Sequence, residues 1–278
     1  MERQVKHQNL RKLFNNVHNT IINSRANNTV SKYVRSFKRY ISWAENYKEI
    51  DSVLPRSELH VALYLQYLMG TVKHHNTIES VFYGIKWAHT TAGLSDPCEA
   101  DIVRSIVEAS TRELNRPIKK KEPLTADLMK LLFLIFNTVN CTLKELRLIV
   151  ICALLYSGFL RYDELSNIKA NNISFHEEYV DIFIEKSKTD CYRKGKNVLI
   201  AKLNTPQCPV TILQCYIREA KIDLSTDKYI FRPFTYFKRN TNYMMRNSNI
   251  KLSYTRAREI IREALSSIGI NRNNLWLT

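Results

Sequence analysis

One apolar run and the arginine that follows it constrain the fold most. Residues 146–156 read LRLIVICALLY and residues 157–165 read SGFLRYDEL. The apolar run has the length of a buried helix, and Ser157-Gly158 breaks it before it could span a bilayer. Arg161 comes next, and a guanidinium is costly to hold near a core unless an anion or carbonyl groups pair with it. The sequence therefore predicts a buried helix that presents Arg161 to a partner.

Composition limits the kind of partner. The chain has 278 residues, 45% of them hydrophobic, which is enough for one large domain or two ordinary ones. Its 42 Lys and Arg residues exceed its 26 Asp and Glu residues, and the formal net charge of +16 favours a polyanion. Nucleic acid is the better choice, because no apolar run reaches membrane-spanning length and residues 1–4 do not open a signal peptide. We expect a nucleic acid as the partner and no membrane.

The cysteines and glycines argue against metal and cofactor chemistry. The sequence has no C-x-x-C pair and no histidine at zinc-finger spacing, so we expect neither a metal site nor a disulfide framework. Cys152 lies in the apolar run and is predicted to be a small buried hydrophobe. Only six glycines occur, without a phosphate-cradling loop, so no small-molecule cofactor is expected. The chain is predicted to be reduced and intracellular.

The first 115 residues are predicted to form a small helical domain. In 31–47, apolar residues recur at helical spacing and cationic residues occupy the other side. Further helices are predicted over 57–69, 77–89 and 99–114. Thr77 is predicted to be the N-cap of the helix over 77–89. In the helix over 31–47 the positions predicted to be buried are Val34, Phe37, Ile41 and Ala44. In the helix over 99–114 they are Ile102, Val103, Ile106 and Val107.

Residues 115–123, NRPIKKKEP, have two prolines, a cluster of cations and no apolar period. They are predicted to be a linker between domains whose charge suits a phosphate backbone. A solvated surface loop or a localisation signal explains the same composition. The lysines concerned are Lys119, Lys120 and Lys121.

The second half is predicted to be helical with a small antiparallel sheet. Helical patterns cover 125–137, 142–156, 208–220 and 253–270. Strand patterns cover 179–185, 196–203 and 228–234. The whole chain is thus expected to be mainly α with a small antiparallel β-sheet, an α+β fold.

A second cation, Lys188, suggests what Arg161 could bind. Glu164 lies three residues beyond it, and the later hairpin EKSKTDCYRKG presents Lys188 near its tip. A fixed arginine and a hairpin lysine could grip one phosphodiester, the arginine as a bidentate fork and the lysine as a proton donor. Two plainer interpretations exist: an ordinary ion pair of Arg161 with Glu164, and a solvated Lys188.

These residues resemble the tyrosine recombinases, the phage integrase family. The similarity lies in LLYSGFLRYDELSNIKANNISF, KSKTD, RKGKNVLI and CPVTILQCY, and within the family it is nearest to eukaryotic mobile elements of the Crypton and DIRS types. The amino-terminal half resembles the helical core-binding domain of that family. The resemblance implies a helical or tail segment over 1–29, a core-binding domain over 30–115, a linker over 116–122 and a catalytic domain over 123–278.

The resemblance also implies roles. Arg161 matches the first catalytic arginine, Glu164 the acid that orients it, and Lys188, with Lys186 as the alternative, the lysine that protonates the departing 5′ oxygen. Such enzymes form a 3′-phosphotyrosine link without metal, and act as homo-oligomers on DNA. The resemblance further implies a two-domain clamp around double-stranded DNA. The residues expected to contact the DNA are Lys32, Arg35, Arg39, Asn76, Thr77, Ser80, Lys119, Lys120, Lys121 and Arg256.

The sequence departs from the family pattern in one place. None of the seven histidines has an arginine three residues later, so the His-x-x-Arg motif and the tyrosine that follows it are missing from the 278 residues. We expect a catalytic domain truncated before both motifs, and therefore no strand cleavage by this chain. A non-catalytic DNA-binding derivative and a helical interaction protein are the alternatives. Nuclear localisation is expected if the source is a eukaryotic mobile element, and cytoplasmic localisation otherwise.

Overall fold

A computed structural model gives the architecture. The chain divides into two compact units, Met1–Ile118 and Lys119–Thr278. The prediction of a mainly helical chain with small antiparallel sheets is confirmed. The predicted linker lysines 119–121 lie outside the part of the chain that the structure describes. That part consists of residues 7–52, 54, 57–117, 124–138, 140–190, 192, 194–238 and 242–270.

The first unit is built from helices. Its core forms where the helices over 58–71 and 75–92 bury apolar residues at helical spacing, among them Val61, Leu65, Ile78 and Ile85, each 0% exposed. The helices are α1 (Gln8–Asn23), α2 (Asn27–Ala44), α3 (Glu58–Thr71), α4 (His75–Ala92) and α5 (Asp101–Leu114).

Helices α2 and α4 pack closely because a glycine lies between them. A Cβ atom on Gly84 would come within 3.0 Å of the Ser36 Cβ and 3.1 Å of the Tyr33 carbonyl oxygen. The rings of Tyr33 and Trp87 are 6.0 Å apart. Since the earlier residue on α2 meets the later residue on α4, the two helices run antiparallel.

Three details of the first unit differ from the sequence predictions. Helix α4 begins at His75, and its N-cap residue is His74, so Thr77 lies in the first turn and is not the N-cap. Ile102 of α5 is 49% exposed, because that helix turns Val103 towards the core.

The buried face of α2 runs through Ser36, Tyr40 and Ala44. The positions predicted from apolar spacing, apart from Ala44, are only half-buried, because small and aromatic residues fill the contact with α4.

The second unit surrounds α7, whose residues Leu146–Leu154 are buried. Thr142 and Glu145 form a capping box at its start. Strands β1–β3 form an antiparallel sheet in the order β1-β2-β3, and β4 pairs with β5 in a separate hairpin. The elements are α6 (Ala126–Phe136), α7 (Leu143–Ser157), α8 (Tyr162–Ser166), β1 (Ile173–Phe175), β2 (Tyr179–Ile184), β3 (Lys196–Ala201), α9 (Pro209–Glu219), β4 (Phe234–Phe237), β5 (Asn242–Met245) and α10 (Tyr254–Ser267).

The strand predicted over 228–234 is wrong. Tyr229 makes only an isolated bridge to Lys169, and Pro233, which has no N–H to donate, follows before pairing begins at Phe234. The β4–β5 hairpin was not predicted. Within the described residues, no helix is both long enough and apolar enough to cross a bilayer.

Candidate nucleic-acid interface and active site

Arg161 is positioned by a sharp turn at the end of α7. The Gly158 N–H caps the helix by donating to the Leu154 carbonyl oxygen at 3.0 Å. Phe159 then adopts φ 47° with its side chain 90% exposed, and Leu160 returns to the core at 2% exposure. Left-handed backbone is unfavourable for a residue with a Cβ atom, so this turn stores strain directly before Arg161. Arg161 is the N-cap residue of α8.

A buried carboxylate holds Arg161 at two points. The Arg161 backbone N–H donates to Glu164 Oε2 at 2.9 Å, and its Nη1 donates to Glu164 Oε1 at 3.1 Å. The Glu164 side chain is 3% exposed, whereas that of Arg161 is 49% exposed. A guanidinium has five N–H donors, so most of the fork remains available to an outside anion. The ion pair predicted from the sequence is present. Its geometry fits a structural helix cap, and it also fits an arginine held in place to bind a phosphate.

Helix α8 is tied to the start of α10. Tyr162 Oη donates to the Leu252 carbonyl oxygen. Lys251 Nζ lies 3.4 Å from Asp163 Oδ1, and the rings of Tyr162 and Tyr254 meet edge to face at 5.2 Å. Burial raises the pKa of Tyr162 to about 12, so the phenol remains a neutral donor. The candidate site therefore includes the α10 start, a link that sequence reasoning missed because it joins residues about 90 positions apart.

Arg256 lies in the first turn of α10 but already has acidic partners. Its backbone N–H donates to Ser253 Oγ at 3.3 Å. Its Nη1 is 3.0 Å from Glu259 Oε2 and 3.9 Å from Glu263 Oε1. The Arg256 side chain is 47% exposed, so a phosphate could reach it only in competition with these carboxylates.

Lys188 lies in an organised loop between β2 and β3. The Asp190 carboxylate accepts the Gly195 N–H at 2.8 Å, and the Asp190 N–H donates to Ser187 Oγ at 3.2 Å. Gly195 has φ 67°, a conformation that glycine adopts without strain. Lys186 and Lys188 flank the buried Ser187 and are exposed. Among the described residues, the structure records neither a hydrogen bond nor an ion pair for Lys188, so it does not bring this lysine onto Arg161.

The basic face of α2 differs from the cations elsewhere in the first unit. Lys32, Arg35 and Arg39 are exposed, and none has an ion pair with another described residue. By contrast, Lys86 of α4 lies 3.0 Å from an Asp96 oxygen. Unpaired cations on one helix face are the electrostatic footprint that a polyanion requires.

The residues predicted for groove contacts are only partly available. Asn76 is exposed, whereas Thr77 and Ser80 are half-buried. Ser80 Oγ donates to the Asn76 carbonyl oxygen at 2.6 Å, so this hydroxyl is already used within α4. Because α2 and α4 are antiparallel, the start of α4 lies towards the end of α2 and away from Lys32.

The described residues contain no group of three or more His, Cys, Asp or Glu side chains arranged to hold a metal ion. Their five cysteines are free thiols. Burial raises the pKa of the Cys152 thiol to about 12, as expected for a small buried side chain in α7.

Comparison with known proteins gives one sequence relative and several similar structures. No protein-family model matches the chain. The chain is 26% identical over 233 residues to "Integrase/recombinase xerD homolog" of Selenomonas ruminantium, a match that covers 82% of this chain and 66% of that protein. The chain thus spans slightly less than two thirds of this relative.

Two of the solved structures found to be similar to this chain are DNA complexes. XerH site-specific recombinase bound to its difH substrate matches with a TM-score of 0.55 at 12% identity, covering 88% of this chain and 63% of XerH. A lambda integrase tetramer bound to a Holliday junction matches with a TM-score of 0.48 at 15% identity, covering 96% of this chain and 71% of the integrase. The XerH match shows that this chain shares the fold of that protein. The sequence relative is likewise described as an integrase/recombinase.

Proposed function

We propose that this chain is the DNA-binding part of a mobile-element tyrosine recombinase, related to the Crypton and DIRS types. The whole protein would break and rejoin DNA. The observation that carries the proposal is Arg161, half-exposed and held at two points by the buried Glu164, in a recombinase fold. A structural ion pair alone would not need a strained turn that lifts the arginine to the surface.

The proposed chemistry assigns each residue a step. Arg161 donates its free N–H groups to nonbridging oxygens of the scissile phosphate, and so stabilises the charge that develops in the transition state. A tyrosine hydroxyl passes its proton to water and attacks phosphorus, forming a P–O bond while the bond to the 5′ oxygen breaks. Lys188 gives its proton to that departing oxygen. The tyrosine, the histidine and the second arginine are not among the 278 residues, so this chain should bind DNA without cleaving it.

DNA binding is proposed to use both units. The unpaired cations of α2 and the lysines at 119–121 would contact phosphates. The groove contacts are assigned to Asn76 and its neighbours at the start of α4. If roughly six phosphates are neutralised, the logarithm of the binding constant should fall with the logarithm of salt concentration with a slope of about −5.

Fluorescence anisotropy with a duplex at several salt concentrations tests the interface. Replacing Lys32, Arg35 and Arg39 together by Gln should bring the slope closer to zero by about 3. The matched control replaces three cations of the same unit that already have carboxylate partners, Lys86, Arg104 and Arg112. An equal loss in the control, or a flat salt response of the unaltered chain, would contradict the proposed interface.

A suicide DNA substrate tests the active site. The 278-residue chain should bind it and form no covalent adduct. If the gene encodes the missing motifs, the longer protein should form the adduct, and Arg161→Ala should abolish it with a much smaller loss of binding. Arg161→Lys is the charge-matched control and should remain strongly impaired, because lysine lacks the bidentate fork. Undiminished adduct formation by Arg161→Ala would make Arg161 a structural cap.

The alternative is a DNA-binding protein derived from a recombinase that has lost the chemistry. A structural cap would show the same pairing of Arg161 with Glu164, and this observation favours it. The DNA beyond the codon for Thr278 separates the two possibilities, because a continuing frame with His-x-x-Arg and a later tyrosine supports the recombinase. We also propose that the protein assembles as a homo-oligomer on DNA. For a eukaryotic source we propose that it is nuclear.

A further inference from the structure

Two buried arginines in the second unit lack carboxylate partners. Arg232 is 6% exposed, and its side chain has neither a hydrogen bond nor an ion pair with a described residue. Arg147 is 3% exposed, and its Nη1 donates to the Arg232 carbonyl oxygen at 3.0 Å. The Arg147 guanidinium also lies 3.7 Å from the centre of the Phe234 ring. The Nε atoms of both arginines are buried without an acceptor. Two such charges in one core are costly unless an anion compensates them.

Arg232 lines a cavity of about 760 Å³. Its described lining contains four cationic side chains and one carboxylate, Glu219, which already accepts a hydrogen bond from Arg218 Nε at 3.1 Å. The cavity is therefore strongly positive, and its volume lies in the range of small-molecule sites. The four cationic residues are Arg218, Lys221, Arg232 and Arg246.

Lys221 occupies a strained backbone position at the edge of this cavity. It follows the last turn of α9 with φ 51°, where helices usually place glycine. The Ile222 N–H donates to the Ile217 carbonyl oxygen at 2.9 Å, which closes the helix around this residue. Glycine would fit the turn without strain, so the fold alone does not account for a lysine here.

The cavity is separate from the candidate active site. It contacts the start of α7 through Leu143 and Leu146, whereas Arg161 follows the end of that helix. Helix α7 has 15 residues, which at about 1.5 Å per residue separates its ends by about 22 Å.

We propose that this cavity binds a small molecule bearing phosphate or carboxylate groups, with Arg232 as the principal ligand. Arg232 supplies a preorganised fork of donors, and Lys221 and Arg246 supply further positive charge at the cavity wall. The volume exceeds that of one phosphate, so the class is a small polyanion, such as a phosphorylated or multiply carboxylated metabolite. This site goes beyond the proposed DNA chemistry, none of whose steps requires it.

Ligand binding should stabilise the second unit and leave the first unchanged. Cys152 is a buried thiol of the second unit at 1% exposure, and Cys98 is a buried thiol of the first unit at 0% exposure. Each thiol reacts with an alkylating reagent when its unit opens. With pyrophosphate or citrate at about 100 times its dissociation constant, labelling of Cys152 should slow about 100-fold. Labelling of Cys98 should not change. Sodium chloride at the same ionic strength is the control for screening.

Calorimetric titration of variants assigns the site. Arg232→Gln should weaken pyrophosphate or citrate binding at least about 10-fold. Lys221→Gly should weaken it several-fold while the protein stays folded, which keeps the test valid if Arg232→Gln fails to fold. Lys130→Gln, on the exposed face of α6 and outside the cavity lining, is the matched control and should bind normally.

Three results would overturn the proposal. The first is that neither anion slows Cys152 labelling more than chloride does. The second is that the folded Lys221→Gly and Arg232→Gln variants bind with unaltered affinity. The third is that a stoichiometric DNA duplex displaces the anion, which would assign the cavity to the DNA backbone. The first two results bear neither on the salt slope of DNA binding nor on the covalent adduct. The third would add the cavity to the DNA interface and leave the proposed function standing, so the failure of this proposal can be distinguished from the failure of the proposed function.

Discussion

The two ends of α7 hold arginine in opposite ways. Beyond the carboxyl end, the half-exposed Arg161 is paired with a carboxylate that is itself buried. Near the amino end, Arg147 and Arg232 are buried. Arg147 has a carbonyl oxygen and an aromatic ring as partners, whereas the Arg232 side chain has no recorded hydrogen bond or ion pair with a described residue. A counter-charge built into the protein fixes the geometry of Arg161 and leaves donors facing outward. The other pair has no built-in counter-charge, so an external anion remains to be bound.

Both ends also carry backbone strain. Among the described residues, the non-glycine positions with positive φ are Phe159, two residues before Arg161, and Lys221, at the wall of the cavity. Burial lowers the pKa of Arg147 to about 10, so this guanidinium remains protonated at neutral pH. The two strained turns place different side chains. The turn at Phe159 precedes Arg161, which is paired with Glu164, and the turn at Lys221 places a lysine in the same cavity wall as Arg232, which has no recorded ion pair.

The largest expected effect concerns Arg147. Arg147→Ala should lower the free energy of unfolding of the second unit by about 3 kcal/mol, because it leaves a cavity and an unpaired carbonyl. Arg147→Met should change it by less than about 1 kcal/mol, since an apolar side chain of similar length avoids burying a charge. Thiol labelling of Cys152 in the full chain measures the change, with Cys98 as internal control. A loss of similar size in Arg147→Met would mean that the charge itself stabilises the fold.

A smaller loss is expected at the other end. Glu164→Gln should destabilise the second unit by about 1.5 kcal/mol, because the amide keeps an acceptor for the Arg161 N–H but loses the charge that pairs with the guanidinium. Glu164→Asp tests the geometry, since it keeps the charge on a shorter side chain. The same labelling experiment measures both variants. If Glu164→Gln were as stable as the parent, the ion pair would contribute nothing to the free energy of unfolding.

Relief of strain should produce a still smaller gain. Phe159→Gly and Lys221→Gly should each stabilise the second unit by about 0.5 kcal/mol, because glycine adopts positive φ freely but loses more entropy on folding. The two variants should differ in binding. Lys221→Gly should weaken anion binding, whereas Phe159→Gly should leave it unchanged. Equal effects of both variants on anion binding would remove the distinction between the two ends of α7.

The sequence predicted what local chemistry determines. The buried helix over 142–156 and the turn before Arg161 follow from apolar length and from the Ser157-Gly158 break. The pairing of Arg161 with Glu164 follows from their spacing at the start of a helix. These features depend on residues close together in the chain, which is why one sequence was sufficient.

Contacts between distant segments were not predictable. Arg147 has the sequence context of a core helix, and only the fold brings it to the carbonyl oxygen of Arg232, 85 residues away. The link from Tyr162 to Leu252 spans 90 residues. The predicted strand over 228–234 failed for a related reason, because its apolar residues Ile230 and Phe231 are buried in the core rather than paired in a ladder. Apolar composition predicted burial there, but not the partner.

The smallest expected effect concerns Arg256, which combines features of both ends. It is half-exposed like Arg161, but its partners Glu259 and Glu263 are exposed. Arg256→Ala should lower DNA affinity about two- to threefold for all sequences and bring the salt slope closer to zero by about 1, as expected for one phosphate contact. Anisotropy titrations with two unrelated duplexes measure both quantities, and Arg262→Ala, further along α10, serves as the control. A loss confined to one duplex would indicate base recognition. Unchanged affinity would mean that Arg256 stays with its own carboxylates, leaving Arg161 as the arginine of this site that meets DNA.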